Sequence, residues 1–176
     1  MNLRDDSSPA KLESKSTRNR IILGLIIILV VLGGLIIFYF MNKPSPPPAQ
    51  ILNLAEAVNF KVYYPSKLPG GYSYTDGSAN IQSGFLYYKL HSGTKVISVT
   101  EQPIPASTVN LQNLPKYSSL SVPAGPAAIG LSVGNPSVVI VTGSTLVNMN
   151  SSKGVAKDTL VFLAKNIKSV QTQNSD

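Results

Sequence analysis

Several residue types that carry chemistry are missing or scarce in this chain of 176 residues, which has no cysteine, no tryptophan and a single histidine, His91. Without cysteine the chain can form no disulfide, and it offers no thiolate for catalysis or for binding zinc or an iron–sulfur cluster. One histidine excludes the histidine-rich metal sites. Neither a phosphate loop nor a His-Glu-x-x-His motif occurs. We therefore expect no catalytic residue, no cofactor and no metal centre.

Acidic residues are few as well, with 8 Asp and Glu against 15 Lys and Arg. The chain after residue 50 contains no arginine, and its nine lysines are dispersed. Arginine is the residue best suited to bidentate contacts with bases and phosphates. We therefore predict no nucleic-acid partner, and we expect only a mild attraction to anionic polymers or lipid headgroups of a cell envelope.

One long apolar run is present at residues 21–41, where the sequence reads IILGLIIILVVLGGLIIFYFM without a charged side chain. A helix of this length extends about 31 Å, which is enough to cross the hydrocarbon core of a bilayer. Aromatic residues at its C-terminal end suit the interfacial belt: Phe38, Tyr39 and Phe40. The run therefore predicts a transmembrane helix.

The flanks of this run predict its orientation. After the run, Lys43 is alone for a long stretch, whereas five basic residues precede the run: Arg4, Lys11, Lys15, Arg18 and Arg20. The positive-inside rule places the N-terminus in the cytoplasm and the rest of the chain outside. The competing interpretation is a cleaved signal peptide, whose apolar core is about 7–15 residues long and precedes small residues. This run is longer and ends on bulky residues, so we predict a single-pass cell-membrane protein with an extracytoplasmic C-terminal domain.

Composition divides the chain into five parts. Residues 1–20 are polar, charged and rich in serine, which predicts a disordered cytoplasmic tail. The transmembrane helix at 21–41 is followed by a proline-rich linker at 42–50, which favours an extended polyproline spacer. Residues 51–171 are numerous enough to build one core and form the extracytoplasmic domain. Residues 172–176 are expected to be a disordered C-terminus.

The clearest element of the domain is a β-hairpin around Ser92-Gly93. The segments on either side of this pair, residues 85–91 and 94–101, alternate between apolar and polar side chains. If His91 faces Thr94, Tyr88 faces Ile97 and the apolar side chains share one face of the hairpin. This segregation supports that register.

The remaining elements follow from the spacing of apolar residues. Helical spacing predicts a short helix at 49–58 and a second helix over 152–168, whose apolar stripe includes Leu160 and Leu163. Further strands are predicted at residues 60–64, 72–76, 127–133, 137–142 and 144–149. The order of a helix, antiparallel strands and a helix predicts an α+β fold: a curved antiparallel sheet with an N-terminal and a C-terminal helix packed on it.

Residues 60–72, FKVYYPSKLPGGY, resemble the opening of an uncharacterised bacterial extracytoplasmic domain family. That family occurs on membrane-anchored proteins, including anti-sigma-factor-like ones. Further matches are VTEQP at 99–103, AAIG at 127–130 and the strand at 138–143, so that the resemblance covers residues 58–170. It implies a fold similar to the half-barrel of the periplasmic lipoprotein carrier, in which a curved sheet wraps a helical lid over an apolar cavity. The family has no established catalytic residues, so it implies none here.

Tyrosines are concentrated between residues 63 and 88, which hold six of the eight. On strands, Tyr64 and Tyr88 are predicted to point inward, whereas Tyr63 and Tyr87 point outward. Outward tyrosines can stack on sugars or anchor a partner protein, so Tyr63 and Tyr87 are the candidate partner-binding residues. The alternative is that tyrosine is simply a favourable strand residue on a sheet with one wet face.

The ionisable side chains of the domain form no recognisable catalytic pattern. His91 lies near the predicted hairpin tip, where we expect it to be exposed. Glu101 lies at the far end of the same hairpin, about 23 Å away along the strand. This glutamate and the other acids of the domain are expected to be ordinary surface residues: Glu56, Asp76 and Asp158.

These observations favour a non-enzymatic domain that binds an envelope glycan, a lipid or a protein partner. The alternative is a lipid- or envelope-sensing half-barrel related to the extracellular domains of anti-sigma factors. That alternative is implied by the resemblance alone and requires an internal apolar cavity. An enzyme would need Glu101, Asp76 or His91 to converge in a cleft.

Overall fold

A computed structural model of the chain describes residues 26–35, 44–105, 111, 114 and 116–170. The chain forms two compact units, residues 1–43 and 44–176.

In the first unit, helix α1 covers residues 26–35, and most of its side chains are exposed. No helix within the described ranges is long and apolar enough to cross a membrane. The remainder of the predicted transmembrane segment, residues 21–25 and 36–41, lies outside the described residues. So do the predicted tail at 1–20 and the predicted C-terminus at 172–176. The transmembrane helix therefore stays a prediction.

The second unit has an α+β fold, which confirms the predicted class. Helix α2 (Ala49–Ala57) comes first and helix α3 (Lys157–Lys165) comes late, with most strands between them. The strands are β1 (Tyr63–Pro65), β2 (Ser73–Tyr74), β3 (Asn80–Gln82), β4 (Phe85–Ser92), β5 (Lys95–Pro103), β6 (Ser118–Val122), β7 (Gly125–Ser132), β8 (Asn135–Val141), β9 (Thr145–Ser151) and β10 (Ile167–Ser169).

Eight of these strands form one antiparallel sheet. Its order is β2-β4-β5-β9-β8-β7-β6, and β3 also pairs with β4. The other two strands, β1 and β10, pair with each other and form a separate two-stranded sheet. Most neighbours in the large sheet are also neighbours in the chain, because short turns connect them directly.

The core lies on one face of the large sheet. Alternate side chains of β4 and β5 are fully buried, as the period of two requires: Leu86, Tyr88 and Leu90 on β4, and Ile97, Val99 and Glu101 on β5. The apolar stripe of α3 joins the same core with Leu160, Leu163 and Ala164. Ile51 of α2 and Val62 before β1 also belong to it. Burial of these side chains is the main term that stabilises the domain.

The first hairpin has the predicted faces but not the predicted register. Tyr88 lies opposite Val99 rather than Ile97, a shift of two residues. Because side chains alternate with a period of two, this shift leaves each one on the same face. The turn is Gly93-Thr94, one residue later than predicted, and Gly93 has a φ of +57°, which glycine adopts without strain. The shifted register brings Glu101 opposite Leu86, and alternation with Val99 places its side chain on the buried face.

Helix α3 is shorter than the predicted 152–168. The Val96 backbone N–H donates to Ser152 Oγ at 2.8 Å, and the Ser152 N–H donates to the Val96 carbonyl at 2.8 Å. Ser152 therefore extends the contact between β9 and β5 instead of capping the helix. At the other end the chain leaves the helix at Asn166 and continues as β10. The strands β3, β6 and β10 were not predicted.

Candidate functional site

An open groove of about 590 Å³ lies between the residues that precede α2, the loop before β2, and the end of β4. Its volume is in the range of small-molecule binding sites. The lining is rich in tyrosine and proline: Pro46, Pro48, Tyr64, Leu68, Tyr72 and Tyr74, with Ser45, Ser73, Asp76 and His91 as its other members. We call it the tyrosine groove.

One wall of the tyrosine groove is formed by residues 45–48, the last part of the predicted linker. The Ser45 N–H donates to the Ser66 carbonyl at 2.7 Å, and Pro47 is buried. Pro48 has a φ of −59° and a ψ of 147°, values typical of polyproline II. This end of the proline-rich stretch therefore packs on the domain as an extended segment.

The opposite wall is formed by a tight turn at residues 69–72. The Tyr72 N–H donates to the Pro69 carbonyl at 3.0 Å, and Gly71 has a φ of +79°, as the third position of a type II turn requires. A Cβ at Gly71 would lie 3.2 Å from Ser92 Oγ, so glycine also allows this turn to approach β4 closely. The turn presents Tyr72 to the groove with its side chain half-buried.

Hydrogen bonds fix the ring of Tyr74. Its hydroxyl donates to Gln50 Oε1 at 2.5 Å and accepts the Ala79 N–H at 3.2 Å. Gln50 Nε2 in turn donates to the Ala79 carbonyl at 2.8 Å. The three residues thus join α2 to the segment before β3. A tyrosine held in this way offers a rigid aromatic wall at little loss of entropy when a ligand binds.

Tyr64 forms the floor of the groove. It is only 1% exposed, and its ring centroid lies 5.6 Å from that of Tyr88, with the ring planes at 37°. Burial raises the pKa of the Tyr64 hydroxyl, and it also raises the pKa of Tyr72. Both phenols therefore stay neutral at physiological pH, where they act as hydrogen-bonding and stacking groups.

Ser73, Asp76 and His91 line the groove together, but they do not form a catalytic triad. The imidazole Nδ1 of His91 lies 2.9 Å from Thr75 Oγ1, so a hydroxyl occupies the position that the orienting carboxylate has in a triad. His91 is half-buried by this contact rather than fully exposed as predicted. The described residues contain no group of three or more His, Asp and Glu that could hold a metal ion.

Residues 130–134 read GLSVG and match the Gly-x-Ser-x-Gly pattern, which the sequence reasoning overlooked. In serine hydrolases this pattern lies on a sharp turn from a strand to a helix. Here Ser132 ends β7, and the chain turns directly into the antiparallel strand β8. β7 is also separated from the strand of His91 by β5, β9 and β8, which is about 19 Å at the usual strand spacing. The pattern is therefore part of a β-hairpin and lacks the strand-to-helix turn that it forms in serine hydrolases.

Glu101 is the largest departure from the sequence-based expectations, because it is fully buried rather than a surface acid. Its exposed fraction is 0%, and its Oε2 accepts the Tyr63 backbone N–H at 2.9 Å. Its other oxygen, Oε1, has no hydrogen-bond partner among the described residues. Burial raises the pKa of Glu101 well above its usual range, and the hydrogen bond from Tyr63 opposes this only in part. The neutral, protonated carboxyl is thereby favoured.

Side chains from three strands of the large sheet hold residues 61–63, which we call the clamped segment. Besides Glu101 on β5, the Tyr88 hydroxyl on β4 donates to the Tyr63 carbonyl at 3.1 Å. On β9, Thr145 Oγ1 donates to the Lys61 carbonyl at 2.6 Å. On the far side, the Val170 N–H donates to the Val62 carbonyl at 2.9 Å. The clamped segment leads directly into Tyr64, so these bonds also fix the floor of the tyrosine groove.

The two predicted partner-binding tyrosines do not share a surface. Tyr63 is partly buried against the core, on the face of the sheet that Tyr88 faces. Tyr87 alternates with Tyr88 and therefore points to the opposite face, where its ring stacks on Phe85 with centroids 6.1 Å apart. Clustering of tyrosines in the sequence did indicate an aromatic site. However, two of the tyrosines that line the groove, Tyr72 in a turn and Tyr74 on the two-residue strand β2, have orientations that alternation could not predict.

No protein-family model matches this chain, and no curated protein matches it. The resemblance to extracytoplasmic domains therefore stays a prediction from the sequence. What the groove binds has to be inferred from its own side chains.

Proposed function

We propose that the chain is a single-pass, membrane-anchored extracytoplasmic domain that binds an envelope component in the tyrosine groove and carries out no catalysis. The observation that carries this proposal is the groove itself, in which Tyr64, Tyr72 and Tyr74 surround a volume of about 590 Å³. Sites for small molecules combine apolar and aromatic walls with a few polar groups that fix orientation. Asp76 and His91 are available here as such polar groups.

The chemistry of the lining supports a glycan, a lipid headgroup or a peptide as the bound component. Tyrosine rings present flat apolar faces to sugars and side chains, and their hydroxyls can form hydrogen bonds at the same time. Two of the rings are held in place before binding, Tyr74 by Gln50 and Ala79, and Tyr64 by burial against Tyr88. Such preorganisation lowers the entropy lost on binding.

The membrane anchor is supported by the apolar run at 21–41 and by the surface of its described part. In α1 the apolar side chains are more than half exposed at nearly every position, for example Leu29 at 71%. A continuous exposed apolar surface of this kind marks contact with a membrane or a partner. The five basic residues before the run support an N-terminus inside the cell.

The absence of catalysis is supported by how the ionisable groups are used. The imidazole of His91 is engaged by Thr75, and Glu101 contacts the clamped segment instead of lining the groove. In the first arrangement a hydroxyl rather than an orienting carboxylate lies at Nδ1 of His91, and in the second the carboxyl is engaged by a backbone N–H.

A lipid- or envelope-sensing half-barrel ranks second. It is favoured by the architecture, since α3 contacts β8 of an eight-stranded antiparallel sheet. A curved sheet that encloses a lipid needs an internal apolar cavity. Ile51 of α2, Val62 before β1 and Leu160 of α3 are each 0% exposed and belong to one core cluster. This dense packing favours binding in the open groove over binding inside the sheet.

Native mass spectrometry of the full chain, released from detergent after purification from host membranes, tests the groove. We expect a reproducible extra mass that is lost in Tyr72→Ala and kept in Tyr87→Ala, which removes an equal ring from the opposite face. An apo mass in the wild-type chain, or an extra mass that survives Tyr72→Ala, would refute binding in the groove.

The topology has its own test, because the chain contains no cysteine. A single cysteine at Ser119, an exposed residue of β6, should react with a membrane-impermeant maleimide in intact cells. A single cysteine at Ser7, in the predicted tail, should react only after the cells are opened. The reverse pattern would show the opposite orientation, and labelling at both sites in intact cells would exclude a single span.

A further inference from the structure

Two hairpin turns of the large sheet have the same backbone but different side chains. The β3–β4 turn is Ser83-Gly84, with φ of +52° and +80°. The β7–β8 turn is Val133-Gly134, with φ of +49° and +80°. Positive φ at both turn residues is the pattern of a type I′ turn, in which Asn, Asp or Gly is preferred at the first position. The β7–β8 turn instead carries a β-branched, apolar residue there.

Val133 contributes nothing to the core that would offset this strain. A β-branched residue with positive φ is a conformational outlier. The Val133 side chain is nevertheless 97% exposed, and Leu131, two residues earlier, is 54% exposed. The strained turn therefore displays two apolar side chains to the surroundings. An outlier of this kind points to a function outside the fold. We call Leu131 and Val133 the apolar tip.

Exposed lysines surround the apolar tip. Lys116 and Lys157 line a cavity of about 270 Å³ together with Leu131. The strand register also places the β4–β5 turn and the loop after β9 at this end of the sheet, because β5 and β8 begin where β9 ends. Lys95, the first residue of β5, and Lys153, in the loop after β9, lie at this end, and the Lys95 Cε lies 3.9 Å from where a Cβ of Gly154 would be.

Acidic residues are scarce around this end of the sheet. Residues 102–157, from the end of β5 to the start of α3, contain no Asp or Glu. The first acid after them is Asp158, in the first turn of α3. Four exposed lysines thus outnumber the acids near the tip, and the net charge of this end of the sheet is positive. Its charge is complementary to an anionic surface.

We propose that the apolar tip and its lysines bind the surface of an anionic lipid bilayer. Leu131 and Val133 enter the boundary between headgroups and acyl chains, and Lys116 and Lys157 contact the lipid phosphates. One or two apolar side chains flanked by lysines suit interfacial lipid binding. They are too few for the buried core of a stable protein–protein interface. The inference rests on the proposed membrane association but not on the tyrosine groove.

The test uses the full chain in nanodiscs and exploits its lack of cysteine. A fluorophore is attached to a single cysteine at Ser132, directly before the Val133-Gly134 turn. A matched control has its single cysteine at Gln82, directly before the Ser83-Gly84 turn. The discs contain phosphatidylcholine alone or phosphatidylcholine with about one third phosphatidylglycerol, and each carries a lipid whose nitroxide quenches nearby fluorophores.

We expect quenching at position 132 in the anionic discs, little at position 82, and a loss of the difference in high salt. Val133→Asn should abolish the quenching at 132. Lys116→Gln and Lys157→Gln should each lower the equilibrium constant for docking of the tip on the anionic bilayer about five-fold. This is the equivalent of about 1 kcal/mol per lysine near an anionic surface.

Equal quenching at positions 132 and 82 would overturn the proposal, as would quenching that is unchanged by Val133→Asn or equal in neutral discs. If the tip is shielded from a soluble thiol reagent in native membranes but not in lipid discs, the occupant is a protein, and the proposal fails. Incorporation into discs and the extra mass in the groove are measured separately, so a failure here is distinct from a failure of the proposed function.

Discussion

Glu101 and Tyr63 are 38 residues apart, and a hydrogen bond of 2.9 Å joins the Oε2 of the first to the backbone N–H of the second. The carboxyl is fully buried, and its second oxygen has no partner among the described residues. Burial favours the protonated carboxyl, because a buried charge is expensive, and the hydrogen bond from Tyr63 offsets this only in part. The stability of the domain is therefore sensitive to pH.

This relationship predicts how the stability of the domain changes with pH. The pKa of Glu101 is raised by folding, so the folded state keeps a proton that the unfolded chain has lost above about pH 4.5, the ordinary glutamate value. The free energy of unfolding should then fall by about 1.4 kcal/mol for each pH unit from there up to the folded pKa. Glu101→Gln has no proton to lose, so its stability advantage over the wild-type chain should grow with pH.

Urea unfolding of the full chain in mild detergent, followed by circular dichroism between pH 4 and pH 8, measures this difference. Glu56→Gln removes an exposed carboxylate from α2 and is the control for the change in net charge. A Glu101→Gln advantage that is the same at every pH would show that burial does not keep the carboxyl protonated.

The second bond to Tyr63 can be removed separately. Tyr88→Phe deletes the hydroxyl that donates to the Tyr63 carbonyl at 3.1 Å and leaves the buried ring in place. Loss of one buried hydrogen bond should lower the free energy of unfolding by about 1–2 kcal/mol. Tyr87→Phe is the matched control, since its ring points to the opposite face, and it should change stability by less than about 0.5 kcal/mol. Equal effects of the two substitutions would mean that the Tyr88 hydroxyl does not hold the clamped segment.

Position 125 requires glycine for two reasons, the backbone conformation there and the close approach of the Val141 carbonyl group. Its φ is +146°, and a Cβ at this position would overlap the Val141 carbonyl oxygen. Gly125→Ala should therefore destabilise the domain by about 2–4 kcal/mol, through strain and the forced separation of the chain from β8. Gly70→Ala is the control, because no atom lies within 4 Å of the Cβ it would add. Thermal unfolding measures both variants, and a Gly125→Ala chain that melts with the wild type would contradict the tight contact.

The faces of the strands could be predicted from sequence because alternation depends only on a period of two. The same rule places Ile97, Val99 and Glu101 on one face, so the position of Glu101 could have been predicted as well. Its residue type argued against burial, since carboxylates are rarely buried without a partner. The hairpin register depends on which two residues form the turn. A register shift of two residues leaves every apolar side chain on the same face. The pattern alone could not choose between the two registers.

The tyrosine groove could not be predicted because its walls are distant in the chain. Residues 45–48 meet the turn at 69–72 and the end of β4 only in the folded domain. The short strand β2 has two residues, too few for any periodicity to show. β3 was missed for a related reason, since NIQ is only three residues long, whereas β6 does alternate at Leu120 and Val122 and could have been predicted. Such elements are fixed by pairing with stronger neighbours.

The strained turn at Val133 leads to a prediction about stability that is independent of lipid. Asn tolerates the left-handed conformation better than a β-branched residue, and Asn-Gly is a preferred type I′ pair. Because the Val133 side chain is 97% exposed, Val133→Asn removes strain without removing packing, and it should raise the free energy of unfolding by about 1 kcal/mol. Ser83→Asn, in the equivalent turn, should give a smaller gain in the free energy of unfolding, because serine is not β-branched and is less strained at positive φ. Urea unfolding in neutral detergent compares the two. A more stable Val133→Asn chain would show that Val133 destabilises the fold. A less stable one would mean that the Val133 side chain supports the hairpin. In that case the strain at Val133 would no longer be an argument for an external partner.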